Sequence, residues 1–378
     1  MKLPKLPKID FLDFSSLFGA SDLMGMDIGS YSVKVVHMRG SPGNWTLVRW
    51  SILPLPVEAV SQEIDPNEKK LAISTAIKNY LSIENITVKN VVISVSGSSV
   101  IVRYVKFPRI AKEELAKSIQ FEAEPYIPFD IKEVTLGFYV LGEVTEEGQK
   151  KTDTVLVAAK KDLIQSKIDI LRDAGLTPVI IDVDAFALES SYEINRDPQT
   201  SEMVLVANMG ANVTNITILE NGTSRVVRDI FIGGIGFTKA IQKSLQCDYS
   251  TAEALKKKYG ILITAEDKEQ ALKNEERDAL QISNILTPMA RDLLAEIHRS
   301  IDFFYSQRGE QQVINKVLLS GGGSGLKNLD KYLSQELKMP VEFFNPFQKV
   351  NKTTEIPADQ AHQMAIAVGL ASRRLKEK

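Results

Sequence analysis

Residues 24–34 read MGMDIGSYSVK, and this stretch decides the fold because it places a short polar turn between two strand-like runs. Asp27 follows an apolar run, Ser30 comes three residues after it and Lys34 seven residues after it. A carboxylate can hold Mg²⁺ through water, hydroxyl and backbone N–H groups can hydrogen-bond phosphates, and an ammonium can offset their charge. The turn therefore predicts a phosphate site that includes Gly29, with Asp27 as the metal-binding group. The alternative is an ordinary surface hairpin with a chance charge.

The same form recurs later in the chain. Residues 207–215 read ANMGANVTN, and again a glycine-containing turn separates two apolar runs. A third glycine-rich turn, LLSGGGSGL at residues 318–326, follows a strand-like run and precedes a helical pattern. Successive backbone N–H groups in such turns form a concave nest for phosphate oxygens. The repeat predicts an internally duplicated chain, and the three turns together predict a nucleotide clamp between two domains.

Composition argues against several other classes of protein. The chain has 378 residues, of which 44% are hydrophobic and 25% charged, so a multidomain globular protein is expected. A formal charge of -2 gives no global electrostatic footprint for nucleic acid. The single cysteine, Cys247, cannot form an internal disulfide, and neither a Walker A motif nor a GxGxxG fingerprint occurs. We therefore expect no nucleic-acid partner, and a nucleotide site that is neither a P-loop nor a Rossmann site.

The hydropathy pattern and the first residues bear on the membrane. No run approaches the roughly 20 apolar residues that cross a bilayer, so we expect a cytoplasmic protein without a membrane span. Residues 1–22 alternate lysines with leucines and prolines before an apolar stretch. Three interpretations of this segment stay open: a flexible tail, a peptide that docks in a partner's groove, or a contact with a membrane surface.

Hydrophobic periodicity divides the remaining chain into alternating helices and strands, which is typical of the α/β class. Asn221-Gly222 predicts a two-residue hairpin turn. The very polar stretch 264–278 predicts a solvated connection, and the helix that follows it is predicted to begin at Pro288.

Five elements in order resemble the actin, Hsp70 and sugar-kinase superfamily, over residues 23–376. The two phosphate loops look like MGMDIGSYSVK and ANMGANVTN, and the adenosine loop looks like LLSGGGSGL. The two connecting helices look like DVDAFALESSY (182–192) and HQMAIAVGLA (362–371), and in the second helix Ala365, Ala367 and Gly369 permit close helix contact. The resemblance implies an α/β, actin-like (ribonuclease H-like) duplicated fold whose halves close around ATP and Mg²⁺.

The resemblance also implies which residues bind the nucleotide. The segment AEALKKKYG (252–260) is similar to the cell-division member of the superfamily, in which a glutamate and a lysine three residues apart meet ribose and adenine. Glu253 and Lys256 inherit that role. The implied nucleotide-binding set is Asp27, Gly29, Ser30, Lys34, Asn208, Gly210, Ala211, Asn212, Gly234, Glu253, Lys256, Gly321, Gly322, Gly323 and Ser324.

An inserted α/β subdomain of the FtsA type narrows the resemblance. The phrase QFEAEPYIPF within it is similar to the PilM family of type IV pilus assembly proteins, although helix termination and packing explain these residues better than direct partner contact. The expected organisation is a tail (1–22), a first half or subdomain 1A (23–104, 182–200 and 357–378), the inserted subdomain 1C (105–181), a second half 2A (201–236 and 301–356) and a subdomain 2B (237–300).

The PilM resemblance implies a function in an assembly machine. It implies a nucleotide-binding scaffold of the inner-membrane pilus complex, which holds the N-terminal cytoplasmic peptide of PilN near the inserted subdomain. Further implied interactions are with other pilus assembly proteins, including the assembly ATPases, and with other copies of the chain. The protein would be cytoplasmic and peripheral at the inner membrane through these partners.

One position departs from the family pattern. The second phosphate loop of the family carries an aspartate where this chain has Asn208. An amide can hydrogen-bond a phosphate or a metal-bound water, but it neither adds a negative charge for Mg²⁺ nor accepts a proton. Whether ATP is hydrolysed therefore stays open, from no turnover to a weak ATPase. Asp182 and Asp184 are the alternatives for orienting an attacking water, with Asp184 as the catalytic candidate, although each could equally cap the connecting helix.

Two other functions on the same fold compete with the scaffold. A filament-forming division protein of the FtsA type shares the inserted subdomain and the AExxK pattern, but the chain ends in the charged SRRLKEK where that protein has an amphipathic anchor. A small-molecule kinase needs a catalytic base beside an acceptor hydroxyl, and the sequence offers no polar set that can be assigned to a sugar.

Overall fold

A computed structural model describes residues 12–13, 22–60, 64–146, 148–308 and 313–373. Its chain divides into two compact units: unit 1 is Met1–Ser191 with Ile366–Lys378, and unit 2 is Tyr192–Ala365. The predicted N-terminal tail lies outside the described residues, apart from Leu12–Asp13 and Asp22. Leu12 and Asp13 pair antiparallel with Ile181 and Ile180 at the edge of the first sheet.

The described strands and helices alternate, as the α/β class requires. The strands are β1 (Leu12–Asp13), β2 (Met24–Ile28), β3 (Ser32–Ser41), β4 (Asn44–Pro54), β5 (Asn90–Val95), β6 (Val100–Pro108), β7 (Val134–Glu146), β8 (Gln149–Lys160), β9 (Thr177–Val183), β10 (Met203–Met209), β11 (Thr214–Glu220), β12 (Thr223–Ile230), β13 (Lys316–Ser320) and β14 (Val341–Phe343). The α-helices are α1 (Val57–Val60), α2 (Pro66–Ile83), α3 (Lys112–Ala123), α4 (Lys161–Asp173), α5 (Asp184–Asn195), α6 (Gly234–Leu245), α7 (Tyr249–Tyr259), α8 (Ala265–Lys273), α9 (Arg277–Arg308), α10 (Leu329–Leu337), α11 (Ala358–Ala361) and α12 (Ala365–Ala371). Short 3₁₀ helices cover Glu124–Tyr126, Ile131–Glu133, Gly322–Gly325 and His362–Met364.

The main sheets of the two units repeat one topology. In unit 1 the strand order is β1-β9-β5-β2-β3-β4, and in unit 2 it is β12-β11-β10-β13-β14. The antiparallel meander β2-β3-β4 matches β10-β11-β12, and in both units the first strand of the meander also pairs parallel with a later strand. The duplication predicted from the two glycine turns is therefore confirmed.

The inserted subdomain has its own sheet, of order β6-β8-β7. Helix α3 lies on one face of it, because Leu115, Ile119 and Ala123 of α3 share a buried cluster with Phe107 of β6 and Leu156 of β8. This spacing of three to four residues puts the apolar side chains of α3 on one helix face. The subdomain thus buries a small core of its own within unit 1.

Close helix contact in unit 1 depends on one glycine of α12. A Cβ on Gly369 would lie 1.8 Å from the carbonyl oxygen of Ala187 in α5, a distance that no side chain can occupy. The small residues of HQMAIAVGLA therefore permit the close approach that the sequence predicted. Beyond this helix, Arg373 is 2% exposed and forms an ion pair with the fully buried Asp182, with its Nε 2.6 Å from Asp182 Oδ2.

Two predictions about unit 2 were wrong. The stretch predicted as a solvated connection contains α8, which begins with a capping box: Asp267 N–H donates to Thr264 Oγ1 at 3.0 Å, and Thr264 N–H donates to Asp267 at 2.9 Å. The helix predicted to begin at Pro288 is α9, which runs for 32 residues through that proline. A proline inside a helix removes one hydrogen bond and its ring crowds the preceding turn, but the buried apolar stripe that stabilises α9 continues on both sides of it, at Ile282, Leu286, Ala290, Leu293 and Ile297.

The core of unit 2 packs the inner face of its sheet against helices. Phe237 of α6 and Phe304 of α9 are among its largest fully buried side chains, and Leu205 of β10 lies in the same cluster. The turn between β11 and β12 has positive φ at Asn221 and Gly222, as the hairpin signal predicted. Within the described part of the chain, no helix combines the length and apolarity that a membrane span needs.

Candidate functional site

The first turn of unit 1 joins β2 to β3 and carries an ion pair. Asp27 and Lys34 are cross-strand partners, and Lys34 Nζ lies 3.2 Å from Asp27 Oδ2, with each side chain 14% exposed or less. Gly29 N–H donates across the turn to the carbonyl oxygen of Ser32 at 3.2 Å, and Ser30 is partly buried beside it. The strand pairing thus brings the four residues predicted for the first phosphate loop into one hairpin.

Two aspartates follow β9, and the structure gives them different surroundings. Asp182 is held by Arg373 and also accepts a hydrogen bond from Val183 N–H at 2.8 Å. Asp184 is the first residue of α5 and is partly exposed. A buried carboxylate that is paired with a guanidinium group stabilises the fold through that ion pair. Asp182 is therefore a structural group. Asp184 stays the catalytic candidate of the two.

A cation that sequence reasoning missed also lies at the first turn. Lys167 of α4 donates from Nζ to the carbonyl oxygen of Ile28, the last residue of β2, at 2.7 Å. Burial lowers the pKa of Lys167, whereas the charges of Asp27 and Asp184 act to raise it. Lys167 lies 139 residues from Ile28 in sequence, so no local motif could have indicated this contact.

The second turn, between β10 and β11 of unit 2, has the same backbone form and different side chains. Gly210 N–H donates to the carbonyl oxygen of Val213 at 2.8 Å. Asn208 Nδ2 donates to Asn215 Oδ1 at 3.0 Å, and Asn215 Nδ2 donates to Asp229 Oδ1 at 2.7 Å. These three residues are cross-strand neighbours on β10, β11 and β12. The second turn therefore carries an amide relay that ends in a carboxylate two strands away.

The glycine-rich loop after β13 lies against this relay. Gly321 has φ +80°, and a Cβ there would come 2.4 Å from the carbonyl oxygen of Met209 and 2.8 Å from Asn208 Oδ1. Only glycine fits this position, because both the left-handed backbone and the contact exclude a side chain. Ser324 donates from Oγ to the carbonyl oxygen of Gly321 at 2.7 Å and so fixes the loop as a 3₁₀ turn.

The start of α6 and one face of α7 complete the arrangement in unit 2. Gly234 N–H donates to the carbonyl oxygen of Gly210 at 3.0 Å. Lys256 Nζ donates to the Gly234 carbonyl oxygen at 3.0 Å and to Thr238 Oγ1 at 2.8 Å, and it lies 2.6 Å from Glu253 Oε2. Thr238 Oγ1 also donates to Glu253, at 2.6 Å. The predicted pair Glu253 and Lys256 is therefore joined to the second turn through Gly234.

Charge pairing opposes burial in this cluster. Burial acts to raise the pKa of Glu253, but Lys256, Thr238 and Lys257 together hold it below its ordinary value. Burial lowers the pKa of Lys256, and the partnership with Glu253 offsets part of that decrease. The two side chains thus stabilise each other's charged forms.

The predicted residues fall into one cluster in each unit. Unit 1 brings together Asp27, Gly29, Ser30 and Lys34, and unit 2 brings together the second turn, Gly234, Lys256 and the loop that begins at Gly321. No cluster of three or more His, Cys, Asp or Glu side chains that could hold a metal occurs among the described residues. Asp27 is the carboxylate of the first turn that could hold a Mg²⁺ ion through water.

Comparison with solved structures supports this architecture. The chain matches a structure of the PilM-PilN type IV pilus biogenesis complex with 28% identity and a TM-score of 0.77, over 93% of this chain and 98% of that chain. It matches MreB5 of Spiroplasma citri bound to ADP with 12% identity and a TM-score of 0.50, over 93% and 95% of the two chains. The second likeness shows the fold alone, and the fold is the actin-like duplicated one.

The sequence itself matches a family model. The model described as type IV pilus assembly protein PilM covers residues 25–375. This range includes the three glycine-rich turns, the inserted subdomain and the connecting helices, so the elements that carry the resemblance lie within it. The chain belongs to the PilM family of type IV pilus assembly proteins.

Proposed function

We propose that this chain is the nucleotide-binding scaffold of the inner-membrane pilus assembly complex, and that ATP and the N-terminal cytoplasmic peptide of PilN are its ligands. Family membership supports the scaffold role over the FtsA-type filament and the small-molecule kinase. Its partners would hold the protein at the membrane surface. These partners include other assembly proteins and further copies of the chain.

The observation that carries nucleotide binding is the first turn. Asp27 and Lys34 are paired at 3.2 Å across a hairpin whose backbone turns at Gly29. When a nucleotide binds, the ammonium is suited to offset phosphate charge and the carboxylate is suited to orient water on Mg²⁺. The cluster of Gly234, Glu253 and Lys256 in unit 2 has the polar groups that ribose and adenine need.

We propose that nucleotide acts as a ligand of the scaffold more than as a substrate. Asn208 contributes no negative charge at the second turn, and its amide is already oriented by Asn215. Asp184 is the residue that we propose to orient a water for any hydrolysis. A ligand shifts a conformational equilibrium only as far as it binds one state better than the other.

The PilN peptide is assigned to the inserted subdomain because that region has large exposed apolar side chains. Phe121 of α3 is 79% exposed and Tyr126 is 41% exposed, and Tyr126 packs edge-on against Phe107 with ring centroids 6.1 Å apart. The related protein in the PilM-PilN complex is 28% identical to this chain. An exposed aromatic side chain on a subdomain with its own core is a suitable anchor for a short peptide.

Calorimetric titration of the full chain tests both ligands. We expect binding of Mg-ATP and of the first residues of PilN, with the variant Phe121→Ser losing roughly tenfold or more in peptide affinity. Phe303→Ser is the matched control, since Phe303 is 49% exposed on α9 of unit 2 and should leave peptide affinity unchanged. Absence of both binding events in the wild-type chain would overturn the proposed function. Equal peptide affinity of Phe121→Ser and the wild type would remove Phe121 from the peptide site.

A further inference from the structure

Helix α4, which follows strand β8 of the inserted sheet, brings a lysine to the first turn. The helix packs against α2, and Lys167 donates from Nζ to the Ile28 carbonyl oxygen at 2.7 Å. Ile28 directly precedes Gly29 in the turn. The ammonium therefore lies at the edge of the hairpin that carries Asp27 and Lys34.

The surroundings of this ammonium favour an anionic ligand. The charged groups that act on Lys167 are Asp27 and Asp184, which stabilise its charge, and Lys69 and Lys34, which oppose it. The Ile28 carbonyl oxygen accepts from one of the three N–H donors of this ammonium, and burial of a charged group is costly unless the group is paired and hydrogen-bonded. A phosphate oxygen would supply a further negative charge and a further hydrogen-bond acceptor.

We propose that Lys167 binds the phosphate groups of the nucleotide at the first turn, beside Lys34. This inference rests on the proposed function, because it takes the first turn as the nucleotide site. Two ammonium groups on separate elements would share the polyphosphate charge, and Asp27 would be left to orient the water of a bound Mg²⁺. The ligand class is a nucleoside polyphosphate. The affinity for a nucleoside without phosphate should not depend on Lys167.

The same helix supplies a matched control. Lys161, at the first position of α4, also donates from Nζ to a backbone carbonyl oxygen at 2.7 Å, that of Lys132 in the inserted subdomain. It therefore makes the same kind of contact as Lys167 without reaching the first turn. Replacing either lysine by methionine removes one charge and one hydrogen bond from the same helix.

The test measures ATP affinity by calorimetry and adenosine binding by nuclear magnetic resonance, on the full-length chain. Lys167→Met should weaken ATP roughly 10- to 100-fold, because a charge-assisted hydrogen bond is lost, and should leave adenosine affinity unchanged. Lys167→Gln, which keeps a donor for the Ile28 carbonyl and thus protects the fold, should lose ATP affinity similarly. Lys161→Met should bind ATP as the wild type does.

Each other outcome is decisive. Equal ATP affinity of Lys167→Gln and the wild type would overturn the inference and leave the proposed function standing. Equal losses of ATP and adenosine affinity would also overturn it, since they would show that Lys167 only supports the turn. A wild-type chain that binds no ATP would overturn the proposed function and the inference together.

Discussion

The first and second turns occupy equivalent places in two sheets of the same topology, yet they use different chemistry. At equivalent cross-strand positions, unit 1 has Asp27 and Lys34, and unit 2 has Asn208 and Asn215. The backbone keeps the same form, since each turn closes with a glycine N–H bonded to the carbonyl oxygen three residues later, at 3.2 and 2.8 Å. Duplication has therefore preserved the hairpin while the charges have diverged.

The difference extends to the neighbouring strands. Unit 1 pairs opposite charges directly, as Asp27 with Lys34 and Asp182 with Arg373. Unit 2 separates its acid, Asp229, from the turn by two amides. Asp27 and Lys34 place both signs of charge at the first turn, whereas an amide relay orients hydrogen bonds without adding charge at the second turn.

The largest expected effect concerns the buried pair of unit 1. Arg373→Met leaves Asp182 buried and uncompensated, so we expect the free energy of unfolding to fall by about 3–5 kcal/mol. Urea unfolding of the full chain measures it. Arg39→Met is the control, because Arg39 pairs with Asp22 at an exposed site and surface pairs contribute little. Equal losses in the two variants would contradict the assignment of Asp182 as a structural group paired with Arg373.

A smaller effect is expected when the second turn is given the charge of the first. In Asn208→Asp the new carboxylate faces Asn215 Oδ1, which in the wild type accepts from Asn208, so the free energy of unfolding should fall by about 1–3 kcal/mol. Adding Asp229→Asn should restore at least half of the lost free energy of unfolding. Asn215 can then reverse its amide, donate to the new carboxylate at position 208 and accept from the new amide at position 229.

This double-mutant cycle is read from urea unfolding of the two single variants and the double variant. If the stability losses of the two single variants simply add in the double variant, the three side chains do not act as one hydrogen-bonded relay. The double variant also tests the effect of a carboxylate at the second turn on Mg²⁺ binding. In this variant the hydrogen bonds of the relay are all made, so the added charge is the main change. If the charge at this position governs Mg²⁺, ATP binding by the double variant should depend more strongly on Mg²⁺ than that of the wild type.

The smallest effect concerns the charge pair of Glu253 and Lys256, which lies near the turn of unit 2. The pKa of Glu253 is held below its ordinary value, since Lys256 and its other partners outweigh burial. A carboxyl with a lowered folded-state pKa stabilises the fold above its unfolded pKa, and this contribution is lost as pH falls through the folded pKa.

Glu253→Gln should therefore be less stable than the wild type by about 1–2 kcal/mol at pH 7. The difference should shrink as pH falls below the ordinary pKa of a glutamate carboxyl and through the lowered pKa that Glu253 has in the folded state. Urea unfolding at several pH values measures it. A difference that does not change with pH would show that Glu253 acts through packing alone.

Local patterns predicted the repeated parts of the fold. The two glycine turns, the Asn221-Gly222 hairpin and the small residues around Gly369 each indicated the structure that is observed. They succeeded because strand pairing and left-handed turns depend on a few adjacent residues. The stretch 264–278 was misassigned because its polar composition was given more weight than the capping box at Thr264, which is itself a local signal.

The sequence by itself determined the duplicated fold, the family and the residues of each turn, because all of these are encoded in contiguous motifs. Only the tertiary structure decided which charges those residues meet. Arg373 reaches Asp182 across 191 residues and Lys167 reaches Ile28 across 139, and Asn208 is oriented by partners on two other strands. Electrostatic partnership depends on distance in space, and burial amplifies it, so no local reading of the chain could have supplied it.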